Sequence, residues 1–227
     1  RLIGVMNQDM GGKTMMKKKK KYGIATAACL LLVCTTTFAS SKVASLSSST
    51  QFGASTTSYG SLERLEERAH LNAAVPKVLS NGYTFAQAQI SNVKAEDDEG
   101  NTVDRYKSLT VTYHKDGKED ITLMLSPARK EEVDATATKT VGGILLNYSE
   151  DTYFYAKDSA DVTAEMKERE KKDSHYYISY GAKKSEEVLE KHVFFTKDGI
   201  SYDLMTENAS FTQEELLDMA GALVLSK

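Results

Sequence analysis

The sequence predicts an α+β fold: a meandering antiparallel sheet packed against N- and C-terminal helices, preceded by one membrane-spanning or signal helix. Three observations predict it. Apolar residues recur at helical spacing just after Ser61 and again near the C-terminus. Between those stretches the spacing changes to period two, with Asp-Gly pairs separating extended runs. Ahead of both, the five lysines Lys17 to Lys21 lead directly into an uncharged apolar stretch, Tyr22 to Ala39.

That first segment decides location. A helix needs roughly 20 apolar residues, with about 17 as a lower limit, to cross a bilayer. A lysine cluster beside such a helix stays on the cytoplasmic side. The expected organisation is therefore a basic cytoplasmic stub at 1–21, a transmembrane or signal segment at 22–39, a Ser/Thr-rich linker at 40–60 and an extracytoplasmic domain at 61–227. The expected location is the cell membrane, single-pass, with the C-terminal domain outside. The alternative is secretion after signal cleavage, for which Thr37-Phe38-Ala39 is an imperfect site. A lipid anchor on Cys34 is disfavoured by the bulky Val33 before it. The chain starts at Arg1, so the true start is expected upstream or at Met15 or Met16, and an upstream cytoplasmic regulatory region would be missing here.

Composition narrows the partners. Seven of the 29 bases and one of the 32 acids precede Ser40, which leaves 22 bases against 31 acids beyond it. An acidic outer part argues against nucleic acid and against an anionic membrane surface as partners. Both cysteines, Cys29 and Cys34, lie inside the apolar stretch. The outer part thus has no disulfide, no thiol chemistry and no cysteine-ligated zinc.

The elements follow in order. Ser40 to Gly60 is rich in Ser, Thr and Gly and is expected to be a flexible tether. Ser61 to Leu71 places Leu62, Leu65, Ala69 and Leu71 on one helical stripe, with Glu and Arg on the other face. That helix must end before Pro76. Tyr106 to Tyr113 alternates and leads through Asp116-Gly117 to a return strand, Asp120 to Leu125. Gly143 to Tyr148 and Thr152 to Ala156 are expected to form a second hairpin about a turn at Ser149-Glu150-Asp151. Asp161 to Lys172 is a charged surface helix or loop, and His175 to Tyr180 is strand-like. Val188 to Phe195 and Ile200 to Met205 flank Lys197-Asp198-Gly199, a third hairpin. Ser210 or Thr212 caps a final helix whose apolar face is Leu216, Leu217, Ala220, Leu223 and Val224. Val111 to Gly117 resembles Val193 to Gly199. The likeness reflects either two copies of one hairpin pairing into one sheet or shared hairpin chemistry.

No catalytic constellation is visible. His70, His114, His175 and His192 lie far apart in sequence and supply no local zinc set, so no metal and no cofactor are expected. The acidic run Glu96 to Glu99 lacks the distant glutamate of a calcium loop and is expected to be a solvated turn. No phosphate loop, dinucleotide fingerprint or nucleophile elbow occurs, and no pair of carboxylates is singled out by an apolar setting. The aromatic residues Tyr153 and Tyr155 share one strand face and Tyr176 and Tyr180 another. They form either half-buried packing or an interaction surface for a protein, peptide or glycan.

One resemblance adds to this. Ala73 to Phe85, with its Val75-Pro76 and Gly82-Tyr83, resembles the entry of a bacterial extracytoplasmic family, domain of unknown function 4367. Lys197 to Leu204 and Thr212 to Ala220 are similar to that family's closing hairpin and helix. The resemblance spans about Ser61 to Val224 and implies the outer domain of a membrane protein like those anti-sigma factors of Firmicutes that carry it. It brings no catalytic residues. No sigma-binding domain is visible in residues 1–16, which departs from the anti-sigma pattern.

The expected protein is thus not an enzyme. It is a membrane-tethered sensor or protein-interaction domain, including the version that forms part of an anti-sigma-factor-like regulator. Its partner is an envelope protein or ligand of unknown identity. The alternative is an exported carrier for an apolar ligand, with a cavity between the sheet and the helix beyond Thr212.

Overall fold

The computed structural model describes residues 45–73, 75–97, 99–128 and 134–226. The basic stub and the apolar stretch at 22–39 lie outside the described residues. Among the described residues, no helix is long and apolar enough to cross a membrane.

The chain runs β1 (Ser45–Thr56), α1 (Leu62–Ala69), β2 (Thr84–Glu96), β3 (Thr102–His114), β4 (Ile121–Pro127), β5 (Ala137–Val141) and β6 (Ile144–Ala156). It continues with α2 (Ala164–Lys172), β7 (Tyr176–Tyr180), β8 (Glu186–Lys197), β9 (Ile200–Glu207) and α3 (Gln213–Leu225). All nine strands join one sheet in the order β1-β2-β3-β4-β9-β8-β6-β5, with β7 also paired to β6.

This corrects the expected fold class. The described residues are 50% strand and 21% helix, in a curled mixed sheet with three helices, and not an antiparallel meander flanked by terminal helices. Three physical reasons account for the difference. First, α2 carries the chain back across the sheet, so β7 pairs with β6 in parallel (Thr152↔Tyr176 to Ala156↔Tyr180). Second, β9 inserts between β4 and β8, which breaks the meander. Third, Ser45 to Thr56 of the expected tether is the edge strand β1, paired from Ser45↔Glu96 to Thr56↔Ala88. An edge strand needs only backbone pairing on one side, and its polar side chains read as linker.

The expected turn at Ser149-Glu150-Asp151 is also corrected. β6 runs through it without a break, and its partners on β8 continue from Asn147↔Phe194 to Tyr155↔Glu186. The real reversal is Gly142-Gly143, where φ is +55° and +82°, values that suit glycine. Asp198-Gly199 turns in the same way, with φ of +51° and +78°. The hairpins β3–β4 and β8–β9 sit side by side through β4 and β9, paired from Ile121↔Thr206 to Pro127↔Ile200.

Strand alternation builds the core. Leu123 lies opposite Val111 and Leu204, Leu204 opposite Val193, and Val193 opposite Tyr148, so one buried row crosses the five central strands. α1 and α3 cover the same face of the sheet over different strands. α3 starts in a capping box: the Thr212 hydroxyl accepts from the Glu215 N–H (3.3 Å) and the Glu215 carboxylate from the Thr212 N–H (2.7 Å). Leu216, Leu217 and Leu223 are buried beneath it, each contributing roughly 1.5–3 kcal/mol. The segment after α1 is pinned by two hydroxyls: Tyr59 donates to Val75 O and Tyr113 to Pro76 O, both at 2.8 Å.

Candidate functional site

Two groupings of polar side chains stand out, one sealed and one open. The sealed one lies where β6, β8 and β9 meet, on the face turned away from α1 and α3. Tyr148, Val193 and Leu204 point into the core, so Ser149, His192 and Asp203 point to the other side. His192 Nδ1 stands 3.1 Å and 3.3 Å from the two Asp203 oxygens. Its Nε2 is 3.2 Å from Glu190 Oε2. That approach is an ion-pair distance without hydrogen-bond alignment, because neither atom has a hydrogen-bond partner. The other Glu190 oxygen accepts from the Tyr155 hydroxyl. Glu190 and His192 are completely buried. Burial opposes a charge on His192, but Asp203 and Glu190 overcome it and raise the imidazole to about 10. Burial and Glu190 push the Tyr155 hydroxyl well above its ordinary value. The group is therefore an imidazolium clamped between carboxylates, with Phe194 stacked on the ring at 5.3 Å.

Beside it lies a second histidine. His175 Nδ1 is 2.7 Å from Asp151 Oδ1, and the Ser149 hydroxyl donates to Asp151 Oδ2 at 2.7 Å. The hydrogen bond to Asp151 raises His175, against the opposing effect of burial. The order of the chain of bonds matters. Here the aspartate stands between serine and histidine, whereas nucleophilic catalysis needs the histidine base on the serine oxygen. Ser149 donates its proton to a carboxylate that orients it and takes no proton away. Among the described residues, no set of three or more His, Cys, Asp or Glu side chains is placed to hold a metal ion.

The tyrosines of the expected interaction surface divide between the two faces. Tyr153 stacks on Tyr155 (5.9 Å) and on Tyr177 (5.0 Å) on the outer face. Tyr176 lies on the opposite face, with the Arg169 guanidinium 4.0 Å over its ring. Tyr153, Tyr155 and Tyr176 are buried, and only Tyr180, at 47% exposure, presents a large surface to solvent. In the acidic turn, Asp97 accepts from the backbone N–H of Glu99 (3.0 Å) and of Asn101 (2.8 Å), so it closes its own loop. His114 caps the β3–β4 turn through Asp120 at 2.7 Å. Sequence reasoning missed Glu66. It counted among the solvent face of α1, yet burial, helped by Glu63, raises its carboxyl to about 7.

The open grouping is a groove of about 750 Å³ at the other end of the sheet, past the end of α1. Helix α1 stops at His70, whose φ of +59° turns the chain. Beyond that point the sheet face changes from apolar Ile90 and Leu109 to polar Asn92, Lys94, Arg105 and Lys107. Register places Ser47 beside Lys94 and Lys94 beside Arg105. The next row holds Ser49, Asn92 and Lys107. Lys94 is paired with Glu96, and Lys107 Nζ donates to Arg68 O at 2.6 Å, closing the helix end.

Against protein-family models, curated proteins and solved structures, the chain finds no match.

Proposed function

We propose that the chain is a non-enzymatic sensing or protein-interaction module held against the outer side of a cell membrane by residues 22–39. The observation that carries this reading is the start of β1. Five residues, 40–44, separate the apolar stretch from a strand built into the sheet. Five residues span at most about 18 Å when fully extended. The module is thereby a membrane-proximal body and not a domain on a long leash. The sealing of His192 and Glu190 supports the non-enzymatic part of the reading, because these charged groups meet no solvent and so no dissolved substrate. The resemblance at Ala73 to Phe85 supports the finer version, the outer part of an anti-sigma-factor-like regulator. The carrier alternative finds less support. A Cβ built on Gly221 of α3 would come within 3.3 Å of Val141, so no ligand fits between helix and sheet there.

Site-directed labelling tests the placement. Glu99 is exposed, and Cys29 and Cys34 are replaced by alanine. With Glu99→Cys, a membrane-impermeant maleimide is expected to label intact cells as strongly as lysed ones. Lys19→Cys is expected to react only after lysis. Recovery of the labelled chain from the medium would select the cleaved, secreted form. Labelling of Glu99→Cys confined to lysed cells would end the reading.

A further inference from the structure

The geometry points to the groove past α1 as a binding site for a small anion that carries hydroxyl groups, such as a phosphorylated or carboxylated sugar. The inference rests on the sensing reading above and supplies its ligand class. Its first support is charge. The residues beyond Ala39 hold 22 bases against 31 acids, yet this concave surface collects Lys94, Arg105, Lys107 and His70. Glu96 answers only Lys94. Asp104 precedes Arg105 and so points to the opposite face of β3.

Unused donors are the second support. Among the described residues, the side chains of Arg105, His70 and Asn92 have neither a hydrogen bond nor an ion pair. Arg105 presents a planar fork of N–H groups, which matches two oxygens of a phosphate or carboxylate at once. Lys107 adds a cation two residues along the same strand face. The third support is the wall. Ser47 and Ser49 turn their hydroxyls, which both donate and accept, to the face of Lys94 and Asn92, and Asn92 adds an amide. Val93, Tyr106 and Pro127 supply the apolar part of the wall, against which the carbon face of a sugar ring can rest while its hydroxyls meet the polar groups. The groove, at about 750 Å³, lies within the range of small-ligand sites.

Titration calorimetry on the full chain in neutral-lipid nanodiscs, at low ionic strength, tests it. Glucose 6-phosphate and glucuronate are the probes, and glucose is the uncharged control. At least one anion is expected to bind and glucose to give no heat. Arg105→Glu is expected to weaken that binding at least about tenfold, because it removes a charge-assisted contact and adds repulsion. Arg105 is exposed, so the variant is expected to fold, which its tyrosine near-UV signal checks. Lys107→Gln serves as a second variant and is expected to weaken binding in the same direction. Silence from both anions, equal binding of glucose, or an unaffected Arg105→Glu would overturn the inference. So would binding seen only with phosphatidylglycerol vesicles and lost in Arg105→Glu, which would assign the groove to a lipid headgroup. Labelling and titration fail separately: a module on the inner side leaves the heats unchanged, and silent titrations leave the labelling pattern unchanged.

Discussion

Replacing His192 by leucine is expected to destabilise the fold by about 3–5 kcal/mol, because the change leaves Glu190 and Asp203 facing each other without their cation. Domains of this kind hold a margin of about 5–15 kcal/mol, so the loss is a large part of it. The chain has 12 tyrosines and no tryptophan, so urea unfolding is followed by tyrosine fluorescence. The joint variant His192→Leu, Glu190→Leu, Asp203→Leu, Tyr155→Phe is expected to recover most of the stability. Buried ion clusters are often replaced by apolar side chains at little cost. Tyr155→Phe belongs in that set because the hydroxyl would otherwise lose its acceptor. A cost under about 1 kcal/mol for His192→Leu alone would show that the carboxylates find another partner.

The same cluster sets a pH dependence. His192 is raised above its ordinary 6.5 to about 10 in the native state. Across that interval the native chain holds a proton that the unfolded chain has released, so stability falls as pH rises. The contribution is complete below about pH 6.5 and gone above about pH 10. The groups facing the ring are Glu190, Asp203 and, across from them on β6, Ser149 and Asp151. His175 and His114 are also raised and act in the same direction, through Asp151 and Asp120. The decisive comparison is the melting temperature at pH 6.5 and at pH 9.5, whose difference is expected to shrink in His192→Leu. An unchanged difference would assign the slope to the other raised groups, His175, His114 and the Glu66 carboxyl.

Leu204→Ala is expected to cost about 2–5 kcal/mol through lost burial and the cavity it leaves. Leu204 is fully buried on β9, between Leu123 and Val193. Those neighbours are held by backbone ladders on both sides and cannot close over the gap. Leu225→Ala is the control: it is 68% exposed and is expected to shift stability by no more than about 0.5 kcal/mol. The same urea titration reads both. Equal effects at the two positions would contradict the central row.

Legibility from sequence divides along physical lines. α1 and α3 were readable because one face of each is buried and the spacing shows it. The Asp116-Gly117 and Asp198-Gly199 turns were readable because few sequences tolerate those dihedrals. β1 was not, because an edge strand of Ser and Thr buries little and shows no alternation of apolar with polar residues. β6 was split in two because Ser149 and Asp151 are turn formers in most settings. Here they are satisfied by each other and by His175, across a strand that no local pattern could supply. The sealed charge cluster left one readable trace. Glu190 and His192 alternate with Leu189 and Val193, so they share a face. A two-residue turn at Asp198-Gly199 then fixes Phe194 opposite Asp203, one step from the ring. The groove left less, because its cations come from neighbouring strands and meet only through register.

The edge position of β1 has a mechanical consequence. Its ladder to β2 comes in two stretches, Ser45 to Thr50 and Ser55 to Thr56, separated by a bulge that contains Gly53. Traction applied at Ser45 along the strand loads the longer stretch in shear, with all its bonds resisting together. Traction across the strand breaks them singly, and the interrupted ladder at the bulge divides that opening into two steps. In the tethered arrangement proposed above, lateral tension would uncover β2 in steps, beginning at the serines that wall the groove.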